Sequence, residues 1–195
     1  MTTQHPADPT PYIPVVLREA RKLLWRYGLS ADASLSLLHQ SENTMLLVED
    51  AAHGKKLVLR VHSQRLAYHG AASIASELRW MTALGEESDV IVPGVVAPKH
   101  GALVQVIEAP DLDLPRHAVM FTFLEGREPT EDILPDKFEL LGAITARMHG
   151  HARAWTPPPG FMRHHWNVET VLGSEPLWGR WQDGMGVDAP VRAIL

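Results

Sequence analysis

The 195 residues contain no cysteine. That absence excludes a disulfide framework, a thiol nucleophile and zinc held by thiolates, and it suits a reducing compartment. A basic cluster is also missing. The formal net charge is −5, and no run of Lys and Arg is long enough to track a phosphate backbone, so no nucleic-acid partner is expected. No apolar run approaches the roughly 20 residues of a membrane span. The opening MTTQHPADPTPYIP has neither a basic n-region nor an apolar h-region, so it is not a signal peptide. With no solenoid repeat either, the expectation is a soluble cytoplasmic protein without a membrane partner.

Several catalytic signatures are absent as well. There is no GxGxxG or GxxxxGK[ST] phosphate loop and no G-x-S-x-G nucleophile elbow. The chain has 11 histidines, but His149 and His151 are two apart and His164 and His165 are adjacent. Neither spacing is the i, i+4 pattern of a helical zinc site, and no metal site is expected within these residues. Asp111 and Asp113 sit in a proline-flanked loop with no histidine to make either a general base.

What is present is a succession of short elements. Residues 1–14 are polar and proline-rich and read as a flexible tail. Val16, Leu17, Ala20, Leu23, Leu24 and Tyr27 recur at helical spacing up to a stop at Gly28. ASLSLLHQ, ENTMLLVED and KLVLRVH are short apolar or alternating runs, the last two separated by a break containing Gly54. They predict three consecutive antiparallel strands. Ile74, Leu78, Met81 and Leu84 space one face of a helix over residues 70–84, closed by Gly85. VIVPGVVAPKHGALVQVIE predicts a loop and a strand, and HAVMFTFLEG a buried strand ending at Glu125-Gly126. Helix, three strands, helix and two strands make an α+β lobe with an antiparallel sheet, over residues 15–126.

Composition then shifts. DKFELLGAITARMHGHARAW predicts a helix with Phe138, Leu141, Ile144, Thr145 and Met148 on one face. TPPPG cannot continue it. A tryptophan-rich irregular stretch follows, and DAPVRAIL begins a helix with Asp188 as N-cap and Pro190 in its first turn. Residues 127–195 read as the incomplete start of a second, helical lobe. Its unpartnered Val191, Ile194 and Leu195, with Trp178 and Trp181 just before, predict an exposed apolar surface and self-association through it.

Two features could hold an anion. Arg60 lies on the third predicted strand and Glu77 on the helix after it. A strand cation fixed by a helix carboxylate can be aimed at phosphates, and a guanidinium stays charged with several donors. The same spacing also describes an ordinary strand arginine and a solvated helix glutamate. Ser41 and Asn43 flank Glu42 in the turn between the first two strands, where hydroxyl, amide and backbone N–H groups can meet phosphate oxygens; a plain turn reads the same way.

The order of segments is more specific than any one of them. S-E-N-T on a hairpin is followed by K-L-V-L-R-V, a helix with E-L-x-x-M-x-x-L, then V-P-x-V-V, G-A-L-V, H-A-V-M-F-T-F-L-E-G-R and L-L-G-A-I-T-A-R-M-H. This order, from about Ser34 to His151, resembles the aminoglycoside phosphotransferase family, which includes choline-kinase-like and type II homoserine-kinase-like enzymes. The resemblance implies a protein-kinase-like fold, ATP with Mg as the cofactors, and a small hydroxyl-bearing substrate such as homoserine, a choline-like amino alcohol or an aminoglycoside. It places Arg60 on ATP phosphates with Glu77 as its partner and Ser41 and Asn43 over them. Met120, Thr122, Phe123 and Leu124 would lie in an interlobe hinge against adenine, and His149 would close the first helix of the second lobe. In one respect the chain departs from the family. No H-x-D triplet occurs in it, so the catalytic loop and the metal-binding aspartate are expected beyond Leu195. A non-catalytic nucleotide-binding or regulatory module, and a small α+β interaction protein, are the alternatives.

Overall fold

A computed structural model describes residues 12–63, 70–127, 130–174, 176 and 179–194. The first described elements are a helix, α1 (Tyr12–Arg21), and a 3-10 turn at Leu24–Tyr27. Gly28 caps that turn at φ 66, in the left-handed region that favours glycine. The predicted continuous helix is therefore broken into two pieces. Residues 12–14, expected in the tail, belong to its first turn.

Three strands follow as a meander: β1 (Ser34–Gln40), β2 (Thr44–Asp50) and β3 (Lys55–Val61). The break between β2 and β3 is a 3-10 turn over Ala51–His53, closed by Gly54 at φ 60. Helix α2 (Ala71–Glu87) comes next, then β4 (Val95–Val96), β5 (Gln105–Ile107) and β6 (Arg116–Thr122). Gly85 does not end α2, which continues to Glu87. The stretch expected to hold one strand holds β4 and β5, both short.

All six strands form one antiparallel sheet in the order β1-β2-β3-β6-β4, with β5 also paired to β6. Alternation along the strands separates its two faces. Leu46, Val48, Leu57, Leu59, Val61, Ala118 and Met120 point to one face and pack with Val16, Ala20 and Leu24 from α1 and its 3-10 turn. Val119 and Phe121 point to the other and pack against Ile74 and Leu78 of α2. A helix on each face of an antiparallel sheet gives the region its own interior.

Beyond the sheet lie α3 (Leu134–Ala154), α4 (Val168–Leu172), a 3-10 turn at Trp181–Asp183 and α5 (Ala189–Ile194). Helix α3 runs five residues past His149. Asp188 does cap α5, its Oδ1 accepting the Val191 N–H at 3.1 Å. No residue of α3 is buried, and Phe138 and Leu141, expected on one face of it, are exposed. Of the surface expected near the C-terminus, Val191 and Trp181 are half-buried, while Trp178, Leu195 and the side chain of Ile194 lie outside the described residues.

Candidate functional site

Register decides which side chains share the α2 face. Arg60 pairs with Met45 on β2 and Val119 on β6, and residues directly opposite one another in an antiparallel pair project to the same side. Arg60 therefore lies on the face that α2 covers. Its Nη1 donates to Glu77 Oε1 at 2.8 Å, the two side chains being 15% and 21% exposed. Its Nε donates to His62 Nε2 at 3.1 Å, and its guanidinium carbon sits 4.9 Å from the centre of the Phe121 ring. A carboxylate, an imidazole and an aromatic face thus hold one cation in one orientation. Nη2 is buried and has no hydrogen-bond partner among the described residues.

The turn Ser41–Asn43 lies at the same end of the sheet, since Met45, two residues beyond it, pairs with Arg60. The turn is closed by Ser41 N–H on Asn43 C=O at 3.1 Å. Asn43 Oδ1 accepts the Ser63 N–H at 3.4 Å, which ties the turn to the end of β3.

Thr122 pairs with Leu57, three residues before Arg60 and so about 10 Å along the strand. Its N–H donates to Gly94 C=O, and its Oγ1 accepts the Gly94 N–H, both at 2.8 Å. Phe123 N–H donates to Lys56 C=O at 3.3 Å. The Lys56 ammonium lies 3.9 Å from the Phe123 ring centre and 2.7 Å from Glu125 Oε1, and Leu124 is exposed.

Met120 requires a correction. It pairs with Leu59 and Val96 and is buried in the core beneath α1, on the sheet face away from Arg60. Its backbone is engaged by strands on both sides, so neither its side chain nor its ladder groups are available beside Arg60.

The structure adds residues that the sequence did not single out. Met45 and Leu47 share the Arg60 face, half-buried and outside both core clusters. His62 completes the Arg60 cradle. Arg163, from the segment after α3, reaches Glu77 Oε2 with Nη1 at 3.3 Å.

The aspartates of the 111–113 loop have structural duties. Asp111 pairs with Arg18 at 2.9 Å, and Asp113 with Arg116. Partial burial pushes the Asp113 carboxyl up, but the Arg116 hydrogen bond and charge outweigh it and hold it below its usual range. Among the described residues, no group of three or more His, Asp or Glu is placed to hold a metal ion. Also among them, no helix is long and apolar enough to cross a membrane. Two surface depressions, of about 270 Å³ between α2 and Val95 and about 470 Å³ beside Glu19 and Gln105, include neither Arg60 nor Glu77.

A family model described as "Phosphotransferase enzyme family" matches residues 35–178. The solved structure of a microcompartment-associated aminopropanol kinase is 44% identical, with a TM-score of 0.77, over 90% of this chain and 52% of its own. An amicoumacin kinase solved with AMP-PNP, Ca2+ and Ami is 21% identical, with a TM-score of 0.58, over 82% of this chain and 44% of its own. The chain thus spans about half the length of these solved relatives. No curated protein matches it.

Proposed function

The chain belongs to the phosphotransferase enzyme family, and from that premise we propose that it forms the nucleotide-binding part of an ATP-dependent kinase for a small amino alcohol. The observation that carries this reading is the state of Arg60. Two of its nitrogens are committed to Glu77 and His62, and the third, Nη2, is a buried donor without a partner among the described residues. Leaving such a donor unmade is costly, and a phosphate oxygen would satisfy it.

The rest of the cleft fits the same ligand. The hairpin tip at Ser41 and Asn43 stands at the Arg60 end, where its amides can meet phosphate oxygens. Phe123 and Leu124, just past β6, stand at least about 10 Å along the strand from Arg60, whereas Thr122 projects with Leu57 to the opposite face of the sheet and is engaged by Gly94. Met45 and Leu47 offer apolar surface between. ATP supplies the transferable phosphoryl group. These residues bind and orient it, and Arg60 stabilises its charge. The described residues do not provide a magnesium cage. An amicoumacin kinase of the same fold binds AMP-PNP, and the aminopropanol kinase at 44% identity supports a short amino alcohol as acceptor over homoserine or an aminoglycoside.

Calorimetry tests the nucleotide site. Wild type is expected to bind ADP and AMP-PNP, and Arg60→Ala to lose about tenfold or more, the worth of one charge-assisted contact of roughly 1.5–3 kcal/mol. Equal affinities would remove Arg60 from the site. Aminopropanol, choline, homoserine and an aminoglycoside, titrated into the AMP-PNP complex, rank the acceptors, with aminopropanol expected tightest. These residues hold no H-x-D triplet to supply an acceptor-activating base, so ADP release from this chain alone should read background. Turnover that dies with Asp113→Asn would move the active site elsewhere.

A further inference from the structure

Helix α2 carries Glu77, and the region after the sheet grips α2 at two places. Near its start, Ser73, Ser76 and Glu77 share one face at i, i+3 and i+4. Ser76 Oγ donates to Ala72 C=O at 2.8 Å and accepts the Met162 N–H at 2.9 Å. Arg163 Nη1 reaches Ser73 C=O at 3.4 Å and Glu77 Oε2 at 3.3 Å. At the other end, Glu87 Oε2 meets His151 Nε2 at 3.1 Å, and Asp89 Oδ2 meets Arg147 Nε at 3.5 Å.

Glu77 is therefore shared. Oε1 takes Arg60 and Oε2 takes Arg163. A carboxylate with one partner can swing about its terminal torsions. Held on both oxygens, it has one orientation, and Arg60 inherits that orientation through a 2.8 Å bond. The three charges sum to +1, which favours an anion beside them.

We propose that Arg163 is a positioning residue of the nucleotide site. It fixes the Glu77 carboxylate, and thereby makes the aim of Arg60 depend on the docking of residues 161–163 against α2. This inference rests on the nucleotide reading above. It adds that the phosphate end of the cleft is completed from the far side of α3, 86 residues beyond Glu77 in sequence.

The test uses the whole chain and two readouts, ADP affinity by calorimetry and amide exchange of residues 73–78 without nucleotide. Arg163→Ala is expected to weaken ADP roughly fivefold, within the range of coupled neighbouring residues. It should also speed exchange around Glu77. Arg163→Lys should restore most of the affinity. In a Glu77→Gln background, Arg163→Ala should change affinity by less than about twofold, because the group it positions is gone. A lower melting temperature with unchanged affinity would reduce Arg163 to a structural contact and overturn the proposal. So would an equal loss in both backgrounds. If wild type binds no ADP, the nucleotide reading falls by itself. Exchange then decides the Arg163–Glu77 coupling: additive effects of Arg163→Ala and Glu77→Gln refute it, and a double variant no faster than either single variant upholds it.

Discussion

The sheet and its two helices differ from the segment that follows them in where their apolar residues go. In the first region, Leu46, Leu59, Val61 and Ala118 are sealed between strands and α1, and Ile74 and Leu78 seal the other face. In the second, α3 is 21 residues long and buries none of them. It is held to the first region through polar contacts at His151 and Arg147, and the segment after it through Met162 and Arg163. One region is stabilised by its interior, the other by attachment. The Arg60–Glu77–Arg163 cluster draws on both, with Arg60 and Glu77 from the first and Arg163 from the second.

That contrast can be broken most severely from inside the sheet. Leu59→Ala is expected to cost about 2–5 kcal/mol in urea unfolding, because Leu59 is fully buried and its cavity cannot collapse between strands. Gly28→Ala comes next, at about 1–3 kcal/mol. Its left-handed φ of 66 penalises any Cβ, and the flexible end of the Lys99 side chain would have to move aside. Gly54→Ala, at φ 60 with open space around it, sharpens the point: its loss should be smaller, the backbone cost alone, about 1 kcal/mol.

A third test uses pH. The Asp50 carboxylate is buried and accepts Ser30 N–H and Oγ–H, each at 2.8 Å, and His53 Nδ1–H at 2.7 Å. Burial raises its pKa, but the His53 and Ser30 hydrogen bonds outweigh that and hold it well below the usual carboxylate range. A depressed folded pKa gives stability that is complete above the unfolded value, about 3.9, and lost as pH falls below it. Melting temperature should therefore drop as pH is lowered from about 5 to 2, and Asp50→Asn should flatten part of that drop. An unchanged pH slope would take Asp50 out of the lobe's acid sensitivity. The smallest effect belongs to α3. Phe138→Ala should shift stability by less than about 0.5 kcal/mol, since the ring is 58% exposed. A loss comparable to that of Leu59→Ala would erase the contrast.

What could be read from the sequence follows the same division. Strands β1 to β3 were legible because alternation, turn residues and Gly54 are local signals, and Arg60 and Glu77 were legible as neighbours because consecutive elements pack together. Met120 was misassigned because sheet face is set by register with Leu59, a pairing 61 residues distant in sequence. One step along β6, Phe121 is the residue that lies under Arg60. Arg163 gave no local cue, sitting in an irregular segment after TPPPG. The helical period of α3 was legible, but period tells which residues share a face and not what covers it.

Helix α2 has a mechanical meaning as well. Glu77 and Glu87 are separated by ten residues, about 15 Å of rigid rod, and each end is gripped by a different part of the later chain. A rod held this way acts as a lever. Pivoting by only about 4° at the Glu87 end would carry Glu77 roughly 1 Å, enough to stretch its 2.8 Å contact with Arg60 past hydrogen-bonding range. Small displacements of α3 are thus felt at the Arg60–Glu77 pair, where geometry is least forgiving.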